Sequence, residues 1–178
     1  WPMRQALLTM QHVNREKIAD IAQFAGAHPF RFYSGYPSII HAFAELIDER
    51  GLELRHRPSH VFLGAENLQA YQKAMIEKVT GAHVSDQYGF SEGCGNASRC
   101  ETGPYHEDWE FGVLEVLNPQ PADNNGISGR VLATGFSNMA FPFIRYDVGD
   151  VAVWESPDYQ CSCGRASRVI RSIDGRCE

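Results

Sequence analysis

Two strand, helix, strand patterns follow each other in the first half of the chain, and this succession restricts the fold more than any other feature of the sequence. Asn14 can cap a helix over about 15–24, and residues 30–33 read as a strand closed by Ser34-Gly35. Pro37 sits at a helix start, and Ile39, Ile40, Phe43, Ala44 and Ile47 share one face of a helix over 38–50 that Gly51 stops. The unit then repeats. Residues 61–63 form an apolar strand, Gly64-Ala65-Glu66-Asn67 a turn, and Leu68, Tyr71, Met75, Ile76 and Val79 the face of a helix ended by Gly81, before a strand over 84–88. Such units imply right-handed crossovers, parallel strands and ligands at the strands' carboxyl ends. Those ends are Ser34-Gly35, Gly64-Ala65-Glu66 and the stretch 88–92, which the pattern predicts to converge on one edge.

Beyond Glu92 the helical period disappears, and short strand-like runs stand at 111–117, 130–134, 143–146 and 151–154. The expected fold class is therefore α/β: parallel-sheet strand-helix-strand units over 1–93, then a mostly β subdomain over 94–178. The stretch 118–128 holds two Pro, one Gly and three Asn, and reads as a solvated loop between strands. A net charge of −6 disfavours nucleic acid and anionic lipid as partners. No run approaches the roughly 18–20 apolar residues that span a bilayer, and the start lacks a basic region followed by an apolar core. A cytoplasmic, non-membrane location is expected.

The densest chemistry lies in Tyr88-Gly89-Phe90-Ser91-Glu92. It offers an aromatic ring for a base, a glycine for close backbone approach, a hydroxyl for phosphate and a carboxylate for Mg²⁺. Taken alone, the five residues also fit a strand ending in a tight turn with an exposed Glu. They do not stand alone. Gly35-Tyr36-Pro37-Ser38 and Gly64-Ala65-Glu66 precede them, Arg145-Tyr146-Asp147-Val148-Gly149-Asp150 follows, and Asp174-Gly175-Arg176-Cys177-Glu178 closes the chain. In this order the segments resemble the adenylate-forming, AMP-forming ligases, in particular the phenylacetate–CoA ligase and CapK-like branch.

The resemblance implies the large-domain fold of that superfamily, and a parent enzyme that activates a small carboxylic acid, possibly aromatic, with Mg·ATP and passes it to CoA. It implies that Asp150 accepts from the ribose hydroxyls, a role one carboxylate fills naturally for two vicinal hydroxyls. It places Glu92 at Mg²⁺, with Ser91 and Glu92 as catalytic candidates, and Gly64, Ala65, Glu66, Gln87, Tyr88, Gly89, Arg171 and Arg176 around ATP or AMP. Tyr36 and Phe90 are expected to border the acyl or adenine pocket. Glu178 stands where the family's hinge has Asp. A CapK-like or deazaflavin-adenylating enzyme with another acceptor, and a non-catalytic nucleotide-binding module, are the alternatives; the branch often forms homodimers.

The chain starts at Trp1, shows no Ser/Thr/Gly-rich phosphate loop ending in Lys, and stops at the hinge-like segment. It is expected to be a central piece of a longer enzyme and inactive alone, since adenylation needs both the phosphate cradle and the family's C-terminal lysine. Cys100-x5-His106 and Cys161-x-Cys163-Gly164-Arg165 supply three thiols and an imidazole, a donor set for tetrahedral Zn²⁺, although free buried thiols also fit. The resemblance favours a structural zinc, because CapK-like members carry Cys and His at these places. Cys94 and Cys177 are assigned no function.

Overall fold

The structure is a computed structural model that describes residues 5–176. The expectations for Cys177 and Glu178 lie outside the described residues. The chain is α/β, as the pattern implied, and divides after Ser85 into two compact units.

In the first unit α1 (Ile18–Ala27) precedes β1 (Phe32–Gly35), α2 (Pro37–Glu49), β2 (His60–Gly64) and α3 (Ala70–Thr80). The strands β1 and β2 run parallel, with Tyr33 beside Val61 and Gly35 beside Leu63. Asn14 accepts from the Glu16 and Lys17 amides at 3.0 Å each, so the expected cap organises a turn and the helix begins later, at Ile18. Pro37 opens α2, where its missing N–H costs nothing, and Phe43, Ala44 and Ile47 are buried. Helix α3 ends at Gly81, whose φ of 65° places it in the left-handed region and whose amide reaches the Glu77 carbonyl at 2.8 Å. Its buried face carries Gln72, Ile76 and Thr80, whereas Tyr71, expected on that face, is 63% exposed. Gln72 instead folds back to accept from the Gln69 amide at 2.9 Å, closing the first turn. Val61, Leu63, Ala44 and Ile76 make one core, and Ile18, Phe43 and Ile47 another.

Strand β3 (His83–Gly89) starts in the first unit and ends in the second. The second unit continues with β4 (Asn96–Arg99), β5 (Tyr105–Glu107), β6 (Gly112–Pro121), β7 (Ile127–Gly135), β8 (Tyr146–Trp154) and β9 (Val169–Arg176). All its pairings are antiparallel, in the order β3-β4-β5-β9-β8-β7-β6. Trp154, Leu114, Val131, Ala152 and Ile170 fill its core.

Two expectations are corrected here. The stretch 118–128 is mostly strand: β6 continues through a register shift between Leu117 and Gln120, where Asn118 takes a positive φ of 53°, and only 122–126 turn before β7. Pro119 is tolerated because β6 ends the pairing order of this unit, so its missing N–H interrupts no second ladder. Residues 143–145 are not a strand; Pro142 precedes them, Arg145 has φ 50°, and regular pairing starts at Tyr146.

Candidate nucleotide site and metal centre

Strand β3 delivers Gln87, Tyr88 and Gly89, each paired with β4, and the chain then turns at Ser91 and Glu92, closed by the Gly93 amide on the Phe90 carbonyl at 3.0 Å. Gly93 has φ 63°, which favours glycine at this turn. Asn96 lies against Gly89 so closely that a Cβ there would stand 2.9 Å from its side-chain oxygen. The second motif begins β8. Gly149 has φ 82° and donates its amide to Asp147 Oδ1 at 3.0 Å, a turn that presents Asp150.

The two motifs meet through their side chains. Tyr88 Oη donates to Asp150 Oδ2 at 2.8 Å, and Tyr146 Oη donates to Glu92 Oε1 at 2.7 Å. Arg176, opposite Asp150 in the β8–β9 register, approaches Asp150 Oδ1 at 3.4 Å through Nε. Burial and the Asp150 carboxylate push the Tyr88 phenol well up, so it stays a donor. The hydrogen bond from Tyr146 holds the Glu92 carboxyl below its ordinary range, so Glu92 is ionised at neutral pH. Phe90 packs beside Tyr88, ring centroids 5.8 Å apart, against the core. The second unit thus brings Tyr88, Glu92, Asp150 and Arg176 together, while Ser91 is exposed.

Other candidates belong to the first unit or are already engaged. Glu66 caps the start of α2, accepting from the Ser38 amide at 3.0 Å and the Ser38 hydroxyl at 2.9 Å; Gly64 and Ala65 precede it, the latter at φ 67°. These and the half-exposed Tyr36 belong to the first unit. Arg171 binds Glu155 at 2.8 and 2.6 Å and reaches Asp123.

Cys100, His106, Cys161 and Cys163 form the one group of three or more potential metal ligands among the described residues, with ligand atoms within 4.8 Å of one another. Cys100 follows β4, His106 lies on β5, and the two other thiols come from the β8–β9 connection. The Sγ atoms of Cys100 and Cys161 are 3.8 Å apart, and Cys163 Sγ is 3.3 Å from His106 Nε2. Sulfur ligands about 2.3 Å from a tetrahedral zinc stand about 3.8 Å from each other, so the donor set fits that ion. The Thr102 hydroxyl, 3.1 Å from Cys161 Sγ, helps lower that thiol to about 6, favouring the thiolate a metal requires. Ser167 Oγ lies 3.5 Å from His106 Nδ1, on the ring's other side.

No protein-family profile matches the sequence. Protein CapK of Staphylococcus aureus is 26% identical over 172 residues, which is 95% of this chain and 37% of CapK. A 2-hydroxyisobutyryl-CoA ligase, solved in an open conformation with 2-HIB-AMP and CoA, superposes with a TM-score of 0.70 at 21% identity, covering 90% of this chain and 39% of that one. The anthranilate CoA ligase AuaEII, solved with anthranoyl-AMP, gives a TM-score of 0.60 at 14% identity over 92% of this chain and 33% of its own. MbtA of Mycobacterium smegmatis gives 0.62 at 14% over 92% and 32%. The chain spans well under half the length of each. The motif resemblance to the adenylate-forming superfamily is accordingly matched at two levels: in sequence this chain is similar to CapK, and in fold to a stretch of these CoA ligases.

Proposed function

We propose that this chain is the ribose- and metal-facing part of an AMP-forming ligase that activates a small carboxylic acid. The observation that carries the reading is the crossed pairing of the two motifs, in which Asp150 is held by Tyr88 and Glu92 by Tyr146, with Arg176 beside Asp150. Asp150 accepts from the vicinal ribose hydroxyls on lone pairs left by Tyr88 and Arg176. Glu92, ionised and half-exposed, suits Mg²⁺, which takes one or two carboxylates and completes its shell with phosphate oxygens and water. Bound there, Mg²⁺ screens the phosphate charge that otherwise repels an attacking carboxylate. The likeness to ligases solved with acyl-AMP supports the assignment, and CoA is the acceptor it favours.

Calorimetry of AMP on this chain tests the reading: binding is expected, with a loss of about tenfold or more in Asp150→Ala, since hydrogen bonds to a charged group contribute about 1.5–3 kcal/mol. Equal binding by the variant would refute it. In a longer protein containing this chain, acid-dependent pyrophosphate exchange should collapse in Asp150→Ala and Glu92→Ala, and product analysis with and without CoA identifies the acceptor.

The thiol cluster favours a second reading, a zinc-stabilised module that binds nucleotide without turnover. Cys100, His106, Cys161 and Cys163 would hold the ion structurally, joining β4 and β5 to the β8–β9 connection. Metal analysis of the purified chain should then give about one zinc per chain, as a single four-ligand site requires, and Cys161→Ser should lower that content.

A further inference from the structure

The hydrogen bonds of the carboxylate site are exchanged between its two motifs. Tyr88 and Glu92 belong to the first, Tyr146 and Asp150 to the second, and each tyrosine donates to the other motif's carboxylate. Three of these residues already have a role at the nucleotide, and Tyr146 has none. Resting on the nucleotide reading above, we propose that Tyr146 is a positioning residue whose hydroxyl holds the Glu92 carboxylate in the orientation in which it takes the metal of a Mg²⁺–nucleoside triphosphate.

Glu92 is in need of such a partner. It sits on a turn and not in a strand, its side chain has three rotatable bonds, and it is only half-buried, so its own backbone leaves the carboxylate several directions. Tyr146 is fixed by contrast. It opens β8 opposite Ala133 of β7, its ring meets Phe143 edge-on at 5.0 Å, and it packs against the core that contains Leu114 and Val131. A phenol anchored in a sheet therefore grips an acid on a loop, 54 positions away in sequence. Mg²⁺ demands near-ideal octahedral geometry, so a carboxylate already aimed binds it at lower concentration.

The test is calorimetry of α,β-methylene-ATP on the whole chain over a range of Mg²⁺ concentrations, alongside AMP without Mg²⁺. Tyr146→Phe is expected to raise the Mg²⁺ needed for half-maximal binding about tenfold, the size typical of groups that orient a metal ligand, and to leave AMP affinity at the wild-type value. Glu92→Gln should lose the Mg²⁺ dependence, and the double variant should match Glu92→Gln, because the hydroxyl acts only through that carboxylate. Wild-type Mg²⁺ dependence in Tyr146→Phe, a further loss in the double variant, or an equal loss of AMP binding would each overturn the positioning role. If Tyr146→Phe fails to fold, Glu92→Asp carries the same test, since the shorter arm withdraws the carboxylate from the hydroxyl: a similar Mg²⁺ shift supports the proposal and wild-type dependence overturns it. A wild-type chain that binds neither AMP nor the analogue overturns the nucleotide reading, and this inference with it.

Discussion

Arg171 binds Glu155 through two nitrogens and Asp123 through a third contact, tying the end of β8 to the turn before β7. Paired guanidinium and carboxylate planes of this kind are stronger than point contacts, and both side chains are at least three-quarters buried here. The Arg171 hydrogen bond holds the Glu155 carboxyl below its ordinary value of 4.5. A carboxyl depressed on folding contributes stability that is complete above the unfolded value and disappears as pH falls through the native one. Thermal midpoints measured down from pH 6 should therefore drop below about pH 4.5, and Glu155→Gln should flatten that slope while lowering stability at pH 7 by about 1 kcal/mol. An acid slope unchanged in the variant would show that other carboxyls set it. The sequence marks Arg171 as a cation near the hinge-like segment, but its partners lie 16 and 48 positions away, and no local pattern announces them.

Among the elements, those with punctuation in the sequence are the ones it announces. Pro37 and Gly81 mark one end each of α2 and α3, and short apolar or strand-like runs mark β2, β6 and β7. Strand β4 is Asn-Ala-Ser-Arg, and β9 carries Arg, Ser, Asp and Gly, so neither advertises a strand; pairing with β3 and β5, and with β5 and β8, makes them strands. The run 143–146 has strand-like residues, yet Phe143 serves as a ring on the core and only Tyr146 joins the ladder. Close packing between elements adds a constraint that composition hides. At Gly112, which opens β6, a Cβ would fall 2.5 Å from the Cys94 carbonyl oxygen and 2.7 Å from that of Thr134. Backbone cannot move aside as a side-chain tip does, so Gly112→Ala should destabilise the chain by about 2–3 kcal/mol in denaturant unfolding. Gly51 has open space around its Cα but a φ of 59°, so as Ala it should lose only about 1 kcal/mol, from backbone strain alone.

At the scale of the whole molecule, the second unit holds both the carboxylate site and the thiol cluster, and the first unit holds neither. If the cluster carries zinc, a chelator should act on one unit: amide exchange should accelerate in β5, β8 and β9 and stay unchanged in α2 and α3. Uniform acceleration would contradict a local structural ion. The site itself is half legible in the sequence. Tyr88, Glu92 and Asp150 stand in short motifs, whereas the bonds that join those motifs exist only once β3 and β8 are in place. Those crossed bonds also bind the two motifs hereditarily. A Tyr88→Phe change strips a donor from Asp150, and a Tyr146→Phe change strips one from Glu92, so a lineage that alters one motif is under pressure to alter the other. Related sequences should accordingly vary in pairs, position 88 with 150 and position 146 with 92, and drift at one member of a pair should foretell drift at its distant partner.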